Sequence, residues 1–259
     1  MSKSLAKVVL VVEFNGTRFC GFQFQEGVLT VQGEIEKAVK SLTGEELRII
    51  AASRTDSGVH AKGQVVSFRT ESGLKPGQIL QGLNHYLPPD IAVKEAYQVN
   101  KDFNIQKDAV SRLYHYRIFN NRVRSPLRQG YSYQVAGKLD LERMNQACRE
   151  LLGEHDLASF ITDAAQSVIK STLKTVYTAR LEAKGDSIIF IMEANSFLPH
   201  QVRNTVGTLI RIGQGKIGIS EFKSIIEARK PGLAWPTAPA HGLYLVQVKY
   251  PKPLGEYHE

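Results

Sequence analysis

Residues 53–64 of the chain read Ser-Arg-Thr-Asp-Ser-Gly-Val-His-Ala-Lys-Gly-Gln, and two apolar runs enclose this polar stretch. Leu47 to Ala52 precede it, and a second apolar run begins at Val65. Apolar runs on both sides of a glycine-bearing segment predict a strand, a loop and a second strand. Because Arg54 can keep a nearby carboxylate ionised and oriented, the pattern favours a chemical role for Asp56. A surface salt bridge in a turn is the ordinary alternative.

The composition points to a folded, basic protein. The chain has 259 residues, of which 42% are hydrophobic, enough for the core of one large domain or two moderate ones. The formal net charge of +8 and a pI of about 9.4 favour polyanionic partners, above all nucleic acid, although charge alone also fits an ordinary basic protein.

Targeting and redox signals are few. Cys20 and Cys148 lack the spacing of a zinc site and make no disulfide framework; Cys148 lies in a helical pattern typical of the core. The start, Met1 to Lys7, leads into an apolar run that is too short to span a membrane, and no small-residue cleavage site follows. These features predict a reducing, cytoplasmic location and no membrane association.

The order of elements predicts the fold class. Hydrophobic periodicity and turn signals give β-α-β-β-α-β in the first half, with strands at 8–14, 47–52, 64–70 and 91–99 and helices at 31–42 and 76–86. A similar order follows, with strands at 112–119, 171–181, 188–194 and 242–250 and helices at 141–152, 199–212 and 221–228. We predict an α+β protein whose two ferredoxin-like halves, 1–105 and 106–259, share a mixed, mostly antiparallel sheet flanked by helices.

A second candidate constellation is Arg112-Leu113-Tyr114-His115-Tyr116-Arg117. Alternation along a strand places Tyr114 and Tyr116 on one face and His115 and Arg117 on the other. A tyrosine on an open face can stack on a base, whereas a core position is the simpler interpretation of Tyr116. Three arginines follow closely, and they either grip phosphates or are solvated loop charges: Arg122, Arg124 and Arg128.

The third constellation is the helical stretch from Phe197 to Arg211. Arg203 lies one residue away from its apolar stripe, near the start of the helix, and a half-buried arginine needs a carboxylate partner, for which Asp56 is the obvious candidate. A purely structural role is the alternative. We interpret Gly207 as allowing close packing of this helix on the sheet. Phosphate-loop, dinucleotide-binding and His-Glu-x-x-His zinc motifs do not occur, so no cofactor and no metal are predicted.

The string from Arg54 to Val65 closely resembles the signature of the TruA family of tRNA pseudouridine synthases. The resemblance covers nearly the whole chain, in these ordered segments: 14–25, 31–36, 83–91, 112–116, 197–204 and 238–245. It implies a homodimeric, cofactor-free enzyme that converts uridine to pseudouridine at positions 38, 39 and 40 of the tRNA anticodon stem-loop. By this resemblance Asp56 matches the catalytic aspartate, Tyr114 the active-site tyrosine, and Arg203 the arginine that pairs with the aspartate.

The residue types suit this chemistry. A carboxylate can act as nucleophile or stabilise an oxocarbenium-like species when a glycosidic bond breaks, and an arginine contact favours its ionised form. The target base must be flipped out of the RNA, and an aromatic face or a tyrosine hydroxyl can then hold it or move a proton. Candidate substrate-binding residues lie in the same motifs: Arg54, Thr55, His60, Gln64, Arg112, Arg117, His200 and Asn204. His60 either contacts a phosphate or orients the loop.

The chain also departs from the family pattern. The family usually has tryptophan where Phe22 stands, alanine where Ser57 stands and phenylalanine where Leu157 stands. It often has Phe-His-Ala-Arg where residues 103–106 read Phe-Asn-Ile-Gln, which removes two RNA contacts, although Lys107 lies next to them. Two alternatives to an ordinary family member therefore stand: a paralogue with shifted RNA specificity, and a non-catalytic tRNA-binding chaperone.

Overall fold

A computed structural model describes residues 5–162, 169 and 171–258. Met1 to Ser4, the first residues of the chain start discussed above, lie outside the described residues. The described strands form a mixed, mostly antiparallel sheet flanked by helices, which confirms the predicted α+β class. The chain divides into two compact units. The first comprises residues 1–110 and 245–259, and the second comprises residues 111–244. The first unit thus includes the end of the chain, whereas the predicted halves were consecutive.

The first unit has the order β-α-β-β-α-β that periodicity predicted. Its elements are β1 (Ala6–Phe14), α1 (Val31–Thr43), β2 (Ile50–Ala51), β3 (His60–Thr70), α2 (Pro76–Tyr86) and β4 (Ile91–Val99). The central strand β1 pairs antiparallel with β3 and β4, and β2 pairs with β3. Both faces of β1 are buried over Val8–Leu10, which fits its continuous β-branched run. The end of β10 (Leu243–Lys249) follows β3 in the strand order.

Local signals set the ends of the two helices. Thr30 is the N-cap of α1, because its side chain accepts a hydrogen bond from the Gly33 N–H, and Gly44 ends the helix in the left-handed region at φ 78°. Pro76 occupies the first turn of α2. The helices approach closely where Gly82 faces the Leu42 side chain, since a Cβ on Gly82 would lie 2.4 Å from Leu42 Cδ1.

The second unit is more elaborate than predicted. Its elements are β5 (Ser111–Phe119), β6 (Tyr133–Gln134), α3 (Leu141–Arg149), β7 (Gly153–Asp156), β8 (Leu173–Lys184), β9 (Ser187–Ala194), α4 (Gln201–Gly213) and α5 (Ile219–Ala228). The strand order is β5–β9–β8–β7, antiparallel throughout, and β6 pairs parallel with β5. The predictions did not include β6 and β7, which are only two and four residues long.

The core of the second unit lies between its sheet and helices. Cys148 on α3 is fully buried, as predicted, and burial raises the pKa of its thiol to about 12. Gly213 at the end of α4 approaches the Met144 side chain of α3, which brings these two helices into contact. Within the described residues, no helix is long and apolar enough to cross a bilayer.

Candidate active site

The Asp56 loop connects β2 to β3 in the first unit. Asp56 is half-buried, and its carbonyl accepts a hydrogen bond from the Val59 N–H at 3.1 Å, which closes a tight turn. Arg54 is exposed and forms no ion pair among the residues that the structure describes, so the expected Arg54 contact to the Asp56 carboxylate is not formed. Arg54 is instead a solvent-facing cation two residues before Asp56.

Two glycines in the preceding segment bring that segment against the loop. Gly16 lies so close to the backbone of Val59 that a Cβ at this position would be 1.9 Å from the Val59 carbonyl oxygen. Gly21 adopts φ +88°, and its Cβ position is 3.0 Å from the Thr55 carbonyl oxygen. The same carbonyl accepts a hydrogen bond from the Phe22 N–H at 3.1 Å. The backbone around Asp56 is therefore held from one side by a segment that tolerates little added volume.

Two buried side chains, His60 and Gln64, also support the loop. His60 is 2% exposed, and its Nδ1 accepts a hydrogen bond from the Gly16 N–H at 3.1 Å. An amide N–H can only donate, so Nδ1 carries no proton in this arrangement. Gln64 is fully buried, and its Nε2 donates to the Ser53 carbonyl at 2.7 Å. Of the two roles considered for His60, this geometry favours orientation of the loop over contact with a phosphate.

Thr55 adds an unusual polar atom beside Asp56. Its residue exposure is 8%, and within the described part of the chain its hydroxyl oxygen is buried without a hydrogen-bond partner. A buried hydroxyl normally finds a partner, since an unsatisfied one costs about 1–3 kcal/mol. The substrate contact predicted for Thr55 stays a prediction.

Tyr114 lies on β5 in the second unit, paired with Met192 of β9. Its ring is 5% exposed and packs edge-on against Phe197, with the centroids 4.9 Å apart and the planes at 76°. On the same face, Arg112 is 9% exposed and donates from Nη1 to the Asn195 carbonyl at 2.8 Å. Phe197 was quoted only as part of a motif, and its contact with Tyr114 could not be inferred from spacing.

Tyr116 is a core residue, the simpler of the two interpretations of its position. It is fully buried, and its hydroxyl donates to the Pro239 carbonyl at 2.7 Å. Burial raises the pKa of Tyr116 well above its usual range, and the nearby Arg203 charge opposes this shift in pKa. A Cβ on Gly242 would lie 2.6 Å from the Tyr116 ring, so glycine is needed where a 3₁₀ turn, Ala240–Gly242, passes over the ring.

Arg203 is held on the first turn of α4 by the segment that follows α5. Its Nε donates to the Ala238 carbonyl at 2.8 Å, and its own carbonyl accepts from the Ala238 N–H at 3.1 Å. Gly207, one turn on, packs against this segment too, because a Cβ there would lie 1.6 Å from the Pro236 carbonyl oxygen. Close packing at Gly207 is thus on the Pro236 segment, whereas we expected it on the sheet.

The positive charge of Arg203 also affects the pKa of His241. Burial lowers the pKa of the His241 imidazole; a backbone hydrogen bond with Ser132 opposes this, and the Arg203 charge lowers the pKa further. A neutral imidazole beside the guanidinium avoids a second positive charge there. His241 was part of a quoted motif but not a candidate, because nothing in its local sequence predicts that it lies near Arg203.

The other candidates of the second unit have internal contacts. His200 precedes α4 in the left-handed region at φ 59°, and its carbonyl accepts from the Asn204 N–H at 2.9 Å. Asn204 is 2% exposed; its Nδ2 donates to the Phe160 carbonyl at 2.7 Å, and its Oδ1 accepts from the Thr237 hydroxyl at 2.6 Å. These bonds indicate that Asn204 positions the segments around α4.

The candidate residues fall into both units. The structure brings Arg54, Thr55, Asp56, His60 and Gln64 together in the first unit. It places Arg112, Tyr114, Arg117, His200, Arg203 and Asn204 in the second. The described residues contain no group of three or more His, Cys, Asp or Glu side chains that could hold a metal ion.

Comparison with known proteins defines the class. The profile of the tRNA pseudouridine synthase family matches residues 10–106 and 147–251. The tRNA pseudouridine synthase A of Acetivibrio thermocellus is 42% identical over 246 residues, covering 95% of this chain and 100% of its own. That of Blochmanniella pennsylvanica is 41% identical over 247 residues, covering 95% and 94%. The protein is therefore an RNA pseudouridine synthase, an isomerase.

The chain belongs to the tRNA pseudouridine synthase family, which confirms the resemblance drawn from its motifs. A solved structure of an H/ACA ribonucleoprotein bound to a substrate RNA containing 2′-deoxyuridine aligns with 97% of this chain at 10% identity and a TM-score of 0.38. This chain spans about half of that one, 49% of its length, and at this TM-score the likeness has no bearing on the assignment.

Proposed function

We propose that this enzyme converts uridine to pseudouridine in tRNA, at positions 38, 39 and 40 of the anticodon stem-loop, with Asp56 as its catalytic carboxylate. The observation that carries the proposal is the Asp56 loop. It presents a half-buried carboxylate on a backbone that Gly16, Gly21 and Gln64 hold in place. A reaction that depends on the placement of one carboxylate gains from such a support.

The reaction breaks the bond between N1 of uracil and C1′ of ribose, turns the base and joins C5 to C1′. The C5 proton is released, and N1 gains a proton. In our proposal Asp56 either attacks as nucleophile or stabilises the positive charge that develops as the glycosidic bond breaks. No redox step occurs, so no electron carrier is required.

Tyr114 and Arg203 complete the proposed catalytic set. Arg203 pairs with Asp56 in this proposal and favours its ionised form. The Tyr114 ring is only 5% exposed and is fixed edge-on by Phe197, which favours contact through its hydroxyl over stacking on an open face. Arg54, His200 and the unsatisfied Thr55 hydroxyl are proposed contacts to the RNA. A homodimer, implied by the family resemblance, and a cytoplasmic location, predicted from the sequence features described above, are part of the proposal.

A paralogue with shifted specificity is a second candidate, favoured by residues 103–106. Phe103 and Ile105 are 3% and 2% exposed, and Phe103 packs on the Tyr257 ring at 4.1 Å. The Asn104 side chain accepts from the N–H groups of residues 106 and 107, so it is engaged within the loop. Gln106 and Lys107 are exposed, and the Gln106 Nε2 donates to the Ala51 carbonyl at 2.7 Å, so positions 104 and 106, where the family often has histidine and arginine, hold amides engaged in protein hydrogen bonds here.

Tritium release tests the proposal directly. Full-length tRNA labelled at uridine C5 is incubated with the wild type, with Asp56→Ala and with Asp56→Asn; Asp102→Asn, an exposed carboxylate of the same unit, is the matched control. We expect release by the wild type and the control only, with RNA binding retained throughout. Turnover by either Asp56 variant would refute the role of Asp56. Binding without release by the wild type would favour the chaperone, and release from uridines other than 38–40 would favour the paralogue.

Arg203 has its own test. We expect Arg203→Ala to reduce the single-turnover rate far more than RNA binding, because the charge acts on the reacting carboxylate. Arg211→Ala, on the same helix and bonded to the Trp235 carbonyl at 3.3 Å, is the control and should react at the normal rate. An unchanged rate in Arg203→Ala would contradict its proposed role.

A further inference from the structure

A small cavity in the second unit lies outside the proposed catalytic set. It measures about 380 Å³, and its polar lining comprises Arg117, Arg128, Tyr131, Ser132 and Ser187. Its apolar lining comprises Ile118 of β5, Ile188 and Ile189 of β9, and Leu127. No carboxylate of the described residues lines it. The cavity therefore combines two guanidinium groups and two serine hydroxyls with no opposite charge to neutralise them.

Arg117 enters this cavity from the strand face opposite Tyr114 and Tyr116. Its guanidinium carbon lies 4.4 Å from the centre of the Tyr244 ring, which is itself 6% exposed. The Tyr244 hydroxyl donates to the Tyr131 carbonyl at 2.8 Å, so the ring under the guanidinium is fixed. Arg117 forms no ion pair among the described residues. Its charge is held in place without being compensated.

Arg128 reaches the same cavity from the loop after β5. Its guanidinium carbon lies 4.5 Å from the centre of the Phe119 ring, and its Nη1 donates to the Ser187 hydroxyl at 2.7 Å. The Arg128 carbonyl accepts from the N–H groups of Tyr131 and Ser132, each at 3.1 Å. Arg128 also lacks an ion pair within the described chain. Both arginines thus lie over aromatic rings and have protein contacts without a ligand, although Arg128 is exposed.

The loop after β5 that carries Arg128 is held by hydrogen bonds of its own. The Asn120 side chain donates to the carbonyls of Val135 and Gly137 at 2.9 and 2.6 Å, and β6 pairs with the end of β5. The carboxylate of Asp186, next to Ser187, accepts from the Asn121 side chain at 2.8 Å and does not line the cavity. The loop can therefore keep its arginines in position without ligand.

We propose that this cavity binds one phosphate group of the RNA backbone, as a positioning contact separate from the reacting uridine. Guanidinium groups match phosphate oxygens in paired hydrogen bonds, and arginines already held in place lose little entropy on binding. The inference rests on the proposed function, because tRNA supplies the phosphate. Free phosphate has the same chemistry, and the experiment separates the two sources.

The test compares two double variants of equal charge. Arg117→Gln with Arg128→Gln removes both cavity arginines. Arg122→Gln with Arg124→Gln removes two exposed arginines of the same loop that do not line the cavity. The dissociation constant for tRNA is measured at several salt concentrations, and the single-turnover rate at saturating tRNA. Ethylation interference then maps which backbone phosphates matter, and thermal unfolding shows that the variants are folded.

We expect the cavity variant to bind tRNA about three- to tenfold more weakly. The slope of log K against the logarithm of the salt concentration should become less steep by about 0.7–0.9, the contribution of one phosphate contact. Ethylation interference at one phosphate should disappear in this variant alone. If the cavity variant binds as well as the wild type, or if the loop control loses as much affinity and the same interference, the proposal is wrong.

Two further arms separate the possible failures. If inorganic phosphate raises the wild-type melting temperature through these arginines while the cavity variant binds tRNA normally, the ligand is free phosphate and the RNA contact is refuted. Failure of the proposed function has a different signature, since the wild type would then bind tRNA without releasing tritium. Arg128→Lys keeps the charge but not the planar group, and should restore only part of the affinity.

Discussion

Replacing Gly16 with alanine should disable the enzyme from a residue that never needs to touch RNA. The added Cβ would lie 1.9 Å from the Val59 carbonyl oxygen, whereas Cβ atoms essentially never approach another heavy atom within 3.0 Å. The two backbone segments must therefore separate by about 1.1 Å, the difference between these two distances. Val59 lies three residues after Asp56, and its N–H closes the turn onto the Asp56 carbonyl. The loop must move, and Asp56 moves with it.

The expected magnitude follows from that displacement. A misplacement of about 1 Å at a reacting group can lower the rate on the order of 100-fold. Overpacking a well-filled site costs about 1–3 kcal/mol of folding free energy, less than the stability of a typical domain, so the variant should still fold. Gly16→Ala should therefore retain its circular dichroism spectrum and RNA affinity while its single-turnover tritium release falls by about two orders of magnitude.

Gly77→Ala is the matched control for this prediction. Gly77 lies in α2 with no atom within 4 Å of its Cβ position, so alanine should fit freely and stabilise the helix by up to about 1 kcal/mol. A Gly16→Ala enzyme that reacts at the wild-type rate under saturating tRNA would refute the reasoning, because the loop would then tolerate a displacement that we expect to be disabling.

Three further predictions concern the second unit. Tyr116→Phe leaves the buried Pro239 carbonyl without its donor and should lower the free energy of unfolding, measured by urea titration, by about 1–3 kcal/mol. An unchanged midpoint of the urea titration would contradict this prediction. Gly207→Ala places a Cβ 1.6 Å from the Pro236 carbonyl oxygen and should lower the melting temperature clearly. If the variant melts at the same temperature as the wild type, the Pro236 segment moves aside without cost and the prediction is wrong. The lowered pKa of His241 means that the unfolded chain binds the proton more readily, so stability should fall as the pH drops below about 6.5. His241→Gln should weaken this dependence, and equal pH profiles would contradict it.

The elements with strong local signals could be predicted from the sequence. α2 and β4 have the predicted bounds, and Thr30 caps α1 as expected. The predicted strand at 47–52 is shorter in the structure, where only Ile50–Ala51 pairs with β3. The Ile49 N–H donates to the Glu36 side chain of α1 at 3.0 Å instead, a tertiary bond that no local pattern reveals.

The candidate site, like the fold, could be predicted from the sequence only where the signal is local. Motif and loop chemistry predicted Asp56 as the catalytic carboxylate, and this role stays a prediction. The support of the loop could not be foreseen, since the Gly16 contact with His60 joins residues 44 positions apart. The expected Arg54 contact to Asp56 failed because closeness in sequence does not fix where a long, exposed side chain points. Asn204 forms buried hydrogen bonds to Phe160 and Thr237 that no local pattern reveals, and its substrate contact stays a prediction.

The hydrogen bond from Gln64 to the Ser53 carbonyl constrains how this loop can vary among descendants of the gene. The bond joins residues 11 positions apart, Ser53 near the start of the loop and Gln64 within β3 beyond its end, so the number of residues between them is fixed by the reach of one side chain. Insertions and deletions between the two ends would open this closure and shift the carboxylate. Exchanges at the exposed positions Arg54 and Ser57 leave the closure intact. Variation in this loop is therefore expected to accumulate as point substitutions at a constant length.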